Sequence, residues 1–174
     1  MNTKNVAVIV HSQTGNTFSV AERLKDMLIE KGLNVDLERL KTEENEMEYI
    51  KKIKEKSLPD AAKYDVIVFG APVNAFTLSM LMKAYLKQQR SLAGKKVLCF
   101  VTMAFPKPWL GGNRAIAKMK KICGSKGVTV KDTGIINWNN PKREEMINEI
   151  SQRFCDEICR QQQPFSAGRN TELI

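Results

Sequence analysis

Three short runs restrict what this chain can fold into. Residues 6–10, 66–69 and 97–101 are almost wholly apolar and rich in valine. A strand with one wet face alternates apolar and polar residues, whereas a run without alternation is a strand covered on both faces. Two other stretches do alternate. Leu33, Val35 and Leu37 interleave with Asn34, Asp36 and Glu38, and Val128 and Val130 interleave with Thr129 and Lys131. These have the pattern of strands at the edges of a sheet. Helical spacing fills the gaps. Val20, Leu24 and Leu28 repeat every four residues and Gly32 follows as a C-terminal cap. Leu78, Leu81, Met82, Tyr85 and Leu86 form a second stripe, Ile116, Met119 and Ile122 a third, and Ile147, Ile150, Phe154 and Ile158 a fourth. Asn140 and Pro141 predict the start of that last helix, as cap and first-turn proline. The strongly charged stretch 43–56 predicts a helix that covers little core.

Strands alternating with helices predict an α/β fold of three layers, α/β/α, around a five-stranded parallel sheet. The first, third and fourth strands read as central and the second and fifth as edges. Order 2-1-3-4-5 satisfies this with right-handed crossovers and puts the switch point between the first and third strands. The 174 residues fit one domain, expected over 1–160, with a polar and mobile tail at 161–174. No apolar run approaches the ~20 residues that span a bilayer, and the first one is too short for a signal peptide. The expected location is therefore cytoplasmic, without a membrane span. Four cysteines with no CxxC pair fit reduced thiols packed as small apolar groups. The net charge is +9, but the lysines are spread over several helices and read as solvated faces. With no aromatic RNA-binding signature, zinc finger or basic arm, no nucleic-acid partner is expected.

The chemistry should sit at the C-terminal ends of the strands. The first strand runs into Ser12, Gln13, Thr14, Gly15, Asn16 and Thr17 and then into a helix. Three hydroxyls and a glycine turn at a helix N-terminus suit a phosphate dianion, because the free N–H groups and the helix dipole favour negative charge there. The loop has no lysine or arginine, and the chain has neither GxxxxGK[ST] nor GxGxxG. The third strand ends in an apolar, proline-bent loop, Pro72, Val73, Asn74, Ala75 and Phe76, suited to packing against a flat ring. The fourth ends in a long connection, Thr102, Met103, Ala104, Phe105 and on through Trp109 to Gly111, Gly112 and Asn113. Phe105 or Trp109 could cover a ring there. His11, the only histidine, reads as a satisfied core residue.

The residues at 12–17 match the pattern [ST]-x-T-G-x-T, and in this the chain resembles the flavodoxin family. Gly70, Ala71, Pro72 and Val73 look like that family's second flavin loop, and the order of elements agrees from about residue 5 to 160. The resemblance implies a flavodoxin-like fold and non-covalent FMN, with the phosphate on residues 12–17 and the ring between the second and third loops. The chain departs from the family at Asn74, where flavodoxins commonly carry a stacking aromatic, and in its basic charge, since carrier flavodoxins are typically acidic. The implied function is electron transfer with a redox partner protein. Two alternatives stand beside it. One is an NAD(P)H-dependent FMN oxidoreductase acting on a small acceptor such as a quinone. The other is a cofactor-free interaction module on the same fold.

Overall fold

The computed structural model describes residues 4–42 and 45–160. Five parallel strands form the sheet: β1 (Asn5–His11), β2 (Asn34–Leu40), β3 (Val66–Asn74), β5 (Lys96–Met103) and β6 (Val130–Asn137), in the order β2-β1-β3-β5-β6. Counted without the two-residue strand β4 (Thr77–Leu78), this is the order 2-1-3-4-5 predicted from burial pattern and right-handed crossovers. β4 folds back antiparallel on the end of β3, pairing Val73 with Leu78 and Asn74 with Thr77. Helices α1 (Asn16–Glu30) and α5 (Arg143–Cys159) cover one face of the sheet; α2 (Glu46–Lys51), α3 (Met80–Gln88) and α4 (Gly112–Ser125) cover the other. Strand β1 shows why its run does not alternate. Val6, Val8 and Val10 pack into the α1/α5 core, Ala7 and Ile9 into the α2/α3/α4 core, and all five are fully buried.

Four expectations need correction. The last strand begins at Val130; Val128 lies before it, its N–H bonded to the Cys123 carbonyl, and plugs the α3/α4 core. A left-handed Gly127 (φ 87°) turns the chain there, so the apolar alternation of 128–130 spans a helix-end turn as well as a strand. Leu78 belongs to β4 and not to the helical stripe, and Ser79 caps α3 by accepting from Met82 N–H. The last helix starts at Arg143, because Asn140 uses its side chain to accept from Lys142 N–H in a turn of its own. The charged stretch 43–56 does contribute core: Tyr49 and Ile53 are 9% and 4% exposed. The tail expected to be mobile at 161–174 lies outside the described residues. Among the described residues, no helix is long and apolar enough to cross a membrane.

Candidate functional site

The loop after β1 is built from behind. Arg39, near the end of β2, donates from Nη2 (2.8 Å) and Nε (3.3 Å) to the Ser12 carbonyl, while its guanidinium lies 5.1 Å over the Phe18 ring. Ser12 Oγ accepts from Phe18 N–H at 3.2 Å, and Ser12 is buried. With that carbonyl and hydroxyl engaged, the chain turns at Gly15 (φ 95°), the N-cap of α1, which has no side chain to cap the helix. Ser12 Oγ takes the Phe18 N–H, which leaves the Asn16 and Thr17 amides of the first turn as the donors that an anion uses. Thr17 is 1% exposed and its Oγ1 lies 2.7 Å from Thr102 Oγ1, which ties the loop to the end of β5.

On the next strand Pro72, Val73 and Asn74 continue β3 past the sheet edge into the β3–β4 hairpin, whose turn is Ala75-Phe76. Both residues have positive φ (46° and 61°), the geometry of a two-residue hairpin turn that Asn-Gly normally supplies. Asn74 Nδ2 donates to Gln13 Oε1 at 3.3 Å and Gln13 Nε2 donates to Glu46 Oε2 at 3.2 Å. The hairpin and the first loop therefore meet at Gln13. The loop after β5 is held from the other side: Trp138 N–H donates to the Met103 carbonyl at 2.7 Å and Asn139 Nδ2 to the Ala104 carbonyl at 3.0 Å. Arg143 lies 4.5 Å over the Trp138 ring and donates to the Trp138 carbonyl.

These three segments enclose a cleft of about 260 Å³ at the switch point between β1 and β3. Of the residues singled out in the sequence, Gln13, Thr14, Asn16 and Thr17 line it on one side, Pro72, Val73 and Asn74 on another, and Thr102, Met103 and Ala104 at the base. Among the described residues, no charged side chain lines it. Ser12 and Gly15 shape the first loop from outside the lining. Ala75 and Phe76 form the hairpin tip, where Phe76 stacks on Phe105 with centroids 5.0 Å apart. Trp109 stands 71% exposed, away from the cleft. Gly111 caps α4, Gly112 begins it, and Asn113 donates its N–H to the Pro108 carbonyl. The sequence reading missed Trp138 and Asn139, which complete the wall, and Arg39 behind the first loop. The signal for the first two was available: they follow the last strand at the same sheet edge. Arg39 offers no local signal, because only pairing of β2 with β1 brings it to Ser12.

His11 ends β1 and is 3% exposed, with Nδ1 sharing a 2.9 Å hydrogen bond with Ser79 Oγ. Burial holds its pKa below the ordinary 6.5; Glu46 opposes that shift and Arg39 adds to it. The folded chain therefore resists a proton that the unfolded chain accepts below about pH 6.5, and stability falls as pH drops through that value. In His11→Asn the dependence should flatten, as read from urea midpoints at about pH 7.5 and about pH 5.5. Equal slopes in the two proteins would show that His11 does not titrate differently on folding.

An open parallel sheet with an uncharged cleft at its switch point, fed by a helix N-terminus and lined by Pro72, Val73, Met103 and Trp138 together with polar side chains, has the architecture of a nucleotide- or flavin-binding α/β protein. The flavodoxin family profile matches residues 8–149, and the chain belongs to the flavodoxin family. FMN is the cofactor that this membership brings, and the free first-turn amides of α1 and the uncharged cleft beside them fit it. Comparison with curated sequences returns no match. Among solved structures, flavodoxin 2 of Bacillus cereus superposes with a TM-score of 0.62 at 15% identity, over 88% of this chain and 99% of that one. The flavodoxin of Streptococcus pneumoniae TIGR4 gives 0.60 at 15% identity, over 88% and 99%. A Lactobacillus acidophilus flavoprotein in complex with FMN gives 0.56 at 17% identity, over 84% and 97%. At these identities the likeness concerns the fold.

Proposed function

We propose that the chain transfers electrons through one FMN held in the cleft. The observation that carries this reading is the meeting of two features at one point: first-turn amides of α1 left free for the phosphate and, beside them, an uncharged cleft lined by Pro72, Val73 and Trp138 for the ring. The α1 amides and the Thr14 and Thr17 hydroxyls would hold the phosphate, with no counter-charge in the loop. Val73 and Trp138 would exclude water from the ring faces, and Asn74, anchored on Gln13, would offer its amide to the ring's polar edge. Bound FMN supplies the electron chemistry, and the protein supplies position and electrostatics.

The test uses the two tryptophans as reporters. Titration of the flavin-free chain with FMN should quench fluorescence, and Trp138→Phe should remove most of the quenching while the exposed Trp109 remains. Mass analysis of the released flavin should give FMN; FAD as the main species, or a chain that cannot be loaded, would sink the reading. Steady oxidation of NAD(P)H with a quinone would move it to the oxidoreductase alternative.

A second expected outcome concerns potential. The hairpin and the loop after β5 contain no carboxylate, and that loop contains Lys107. Nearby cations favour the more negative, reduced flavin. The bound-flavin potential should lie above that of acidic flavodoxins and fall when the Debye length shrinks from ~30 Å to ~3 Å with added salt. Spectroelectrochemical titration at both ionic strengths measures it. A low potential insensitive to salt would mean that local contacts set it.

A further inference from the structure

We propose that the α3/α4 face and the hairpin tip beside the cleft form one docking surface for an acidic protein. Between residues 66 and 131 the chain has twelve lysines and arginines and not one aspartate or glutamate, while the rest of the chain carries more acids than bases. This segment folds into β3, β4, α3, β5 and α4, so much of the charge that looked dispersed along the sequence comes to α3, α4 and the loop before α4, whereas Lys96 pairs with Glu157 of α5. Lys83 and Lys87 on α3, with Lys118 and Lys121 on α4 and Lys126 just after it, line a groove of about 310 Å³ between the helices. Lys126 Nζ donates to the Lys87 carbonyl at 2.8 Å. Among the described residues, no carboxylate lies within ion-pair distance of the other four. Like charges so placed repel one another, and an anionic partner relieves the repulsion.

The same half carries the apolar part of the surface. Of the six large hydrophobic side chains that stand exposed among the described residues, four belong to it: Phe76, Met80, Phe105 and Trp109. Met80 opens α3 one turn before Lys83, so the patch leads into the lysine groove. Lys107 lies in the loop between Phe105 and Trp109, and Arg114 lies in the first turn of α4. An aromatic centre with a charged rim is the anatomy of a protein interface. The lysines line a groove and not a plane, which suits a ridge of carboxylates on a folded partner more than the flat face of a lipid bilayer.

That the partner is a redox protein rests on the FMN reading; docking does not, so the experiment is run with and without flavin. The probe is an acidic plant-type two-iron ferredoxin, with the basic protein cytochrome c as control, measured by calorimetry at low salt. Ferredoxin should bind the chain in both flavin states, and more weakly as salt rises. Cytochrome c should not bind. The triple variant Lys83→Glu/Lys118→Glu/Lys121→Glu should weaken ferredoxin about thirty-fold, and Trp109→Ala about tenfold. Lys121 and Trp109 are exposed and Lys83 and Lys118 half-buried at the groove, and urea unfolding of each variant confirms that the fold is retained before binding is compared. Absence of ferredoxin binding, affinity unchanged in the variants, or tighter binding to duplex DNA or phosphatidylserine vesicles would each overturn the proposal. Failure to load FMN with ferredoxin binding intact would instead defeat the flavin reading alone.

Discussion

Replacing Gly111 with alanine should cost about 3–5 kcal/mol of stability and loosen the flavin cleft together with the fold. Gly111 has φ 119°, where an L side chain is strained whatever room it has. Room is also lacking. An added Cβ would lie 2.7 Å from Val73 Cγ1 and 2.8 Å and 2.9 Å from Phe76 Cα and C, and the last two are backbone that cannot swing aside. The β3–β4 hairpin already holds Ala75 and Phe76 at positive φ, a cost of order 1–3 kcal/mol each that packing on the α4 start must offset. Pushing the hairpin away from Gly111 also moves Val73 and Asn74, which line the cleft. Gly124 supplies the control. It lies inside α4 with no atom within 4 Å of its added Cβ, so Gly124→Ala should gain about 0.5–1 kcal/mol from helix propensity. Urea unfolding of both variants, each with and without FMN, measures the difference. A Gly111→Ala protein as stable as the parent would show that the hairpin does not rest on this loop.

The readability of the chain follows from where each signal is encoded. Strands 6–10, 66–69 and 97–101 are visible because burial on both faces removes polar residues from consecutive positions, and order follows from which strands lack that feature. The first loop is visible because a helix start that binds an anion needs small, hydroxyl-bearing residues in sequence. Other features depend on partners far along the chain. Strand β4 has two residues and is defined only by pairing with β3, across an Ala-Phe turn that lacks the Asn-Gly signature of its geometry. Arg39 acts on Ser12 from a neighbouring strand, and Trp138 reaches the cleft because β6 lies beside β5. Val128 satisfies the alternation of a strand while filling the core from a turn, since burial and not backbone conformation is what the pattern records.

The second large effect concerns the buried pair Thr17 and Thr102, and substitutions there should separate cofactor binding from folding. The two hydroxyls lie 2.7 Å apart, on residues only 1% and 4% exposed. One proton makes the bond between them, so one remains to be donated elsewhere. Both residues line the cleft, and Thr17 lies in the first turn of α1 where the phosphate would sit. A dianion there favours Thr102 donating to Thr17 and Thr17 donating to the phosphate. Thr17→Val should then lose a hydrogen bond to a charged acceptor, about 1.5–3 kcal/mol, seen as a rise in FMN dissociation constant of about ten- to hundred-fold. It should also leave the Thr102 hydroxyl without its partner, at about 1–3 kcal/mol of stability in the flavin-free chain. In Thr17→Val/Thr102→Val both hydroxyls are replaced by apolar groups of the same shape, so flavin-free stability should return close to the parent value. FMN affinity should stay low, because the donor to the phosphate is still missing. Thr17→Ser should restore both properties. Fluorescence titration with FMN and urea unfolding of the flavin-free variants give the two readouts. If the double variant binds FMN as tightly as the parent, the phosphate does not use Thr17. If it remains as unstable as Thr17→Val, the cost of the single change lies in packing and not in an orphaned hydroxyl.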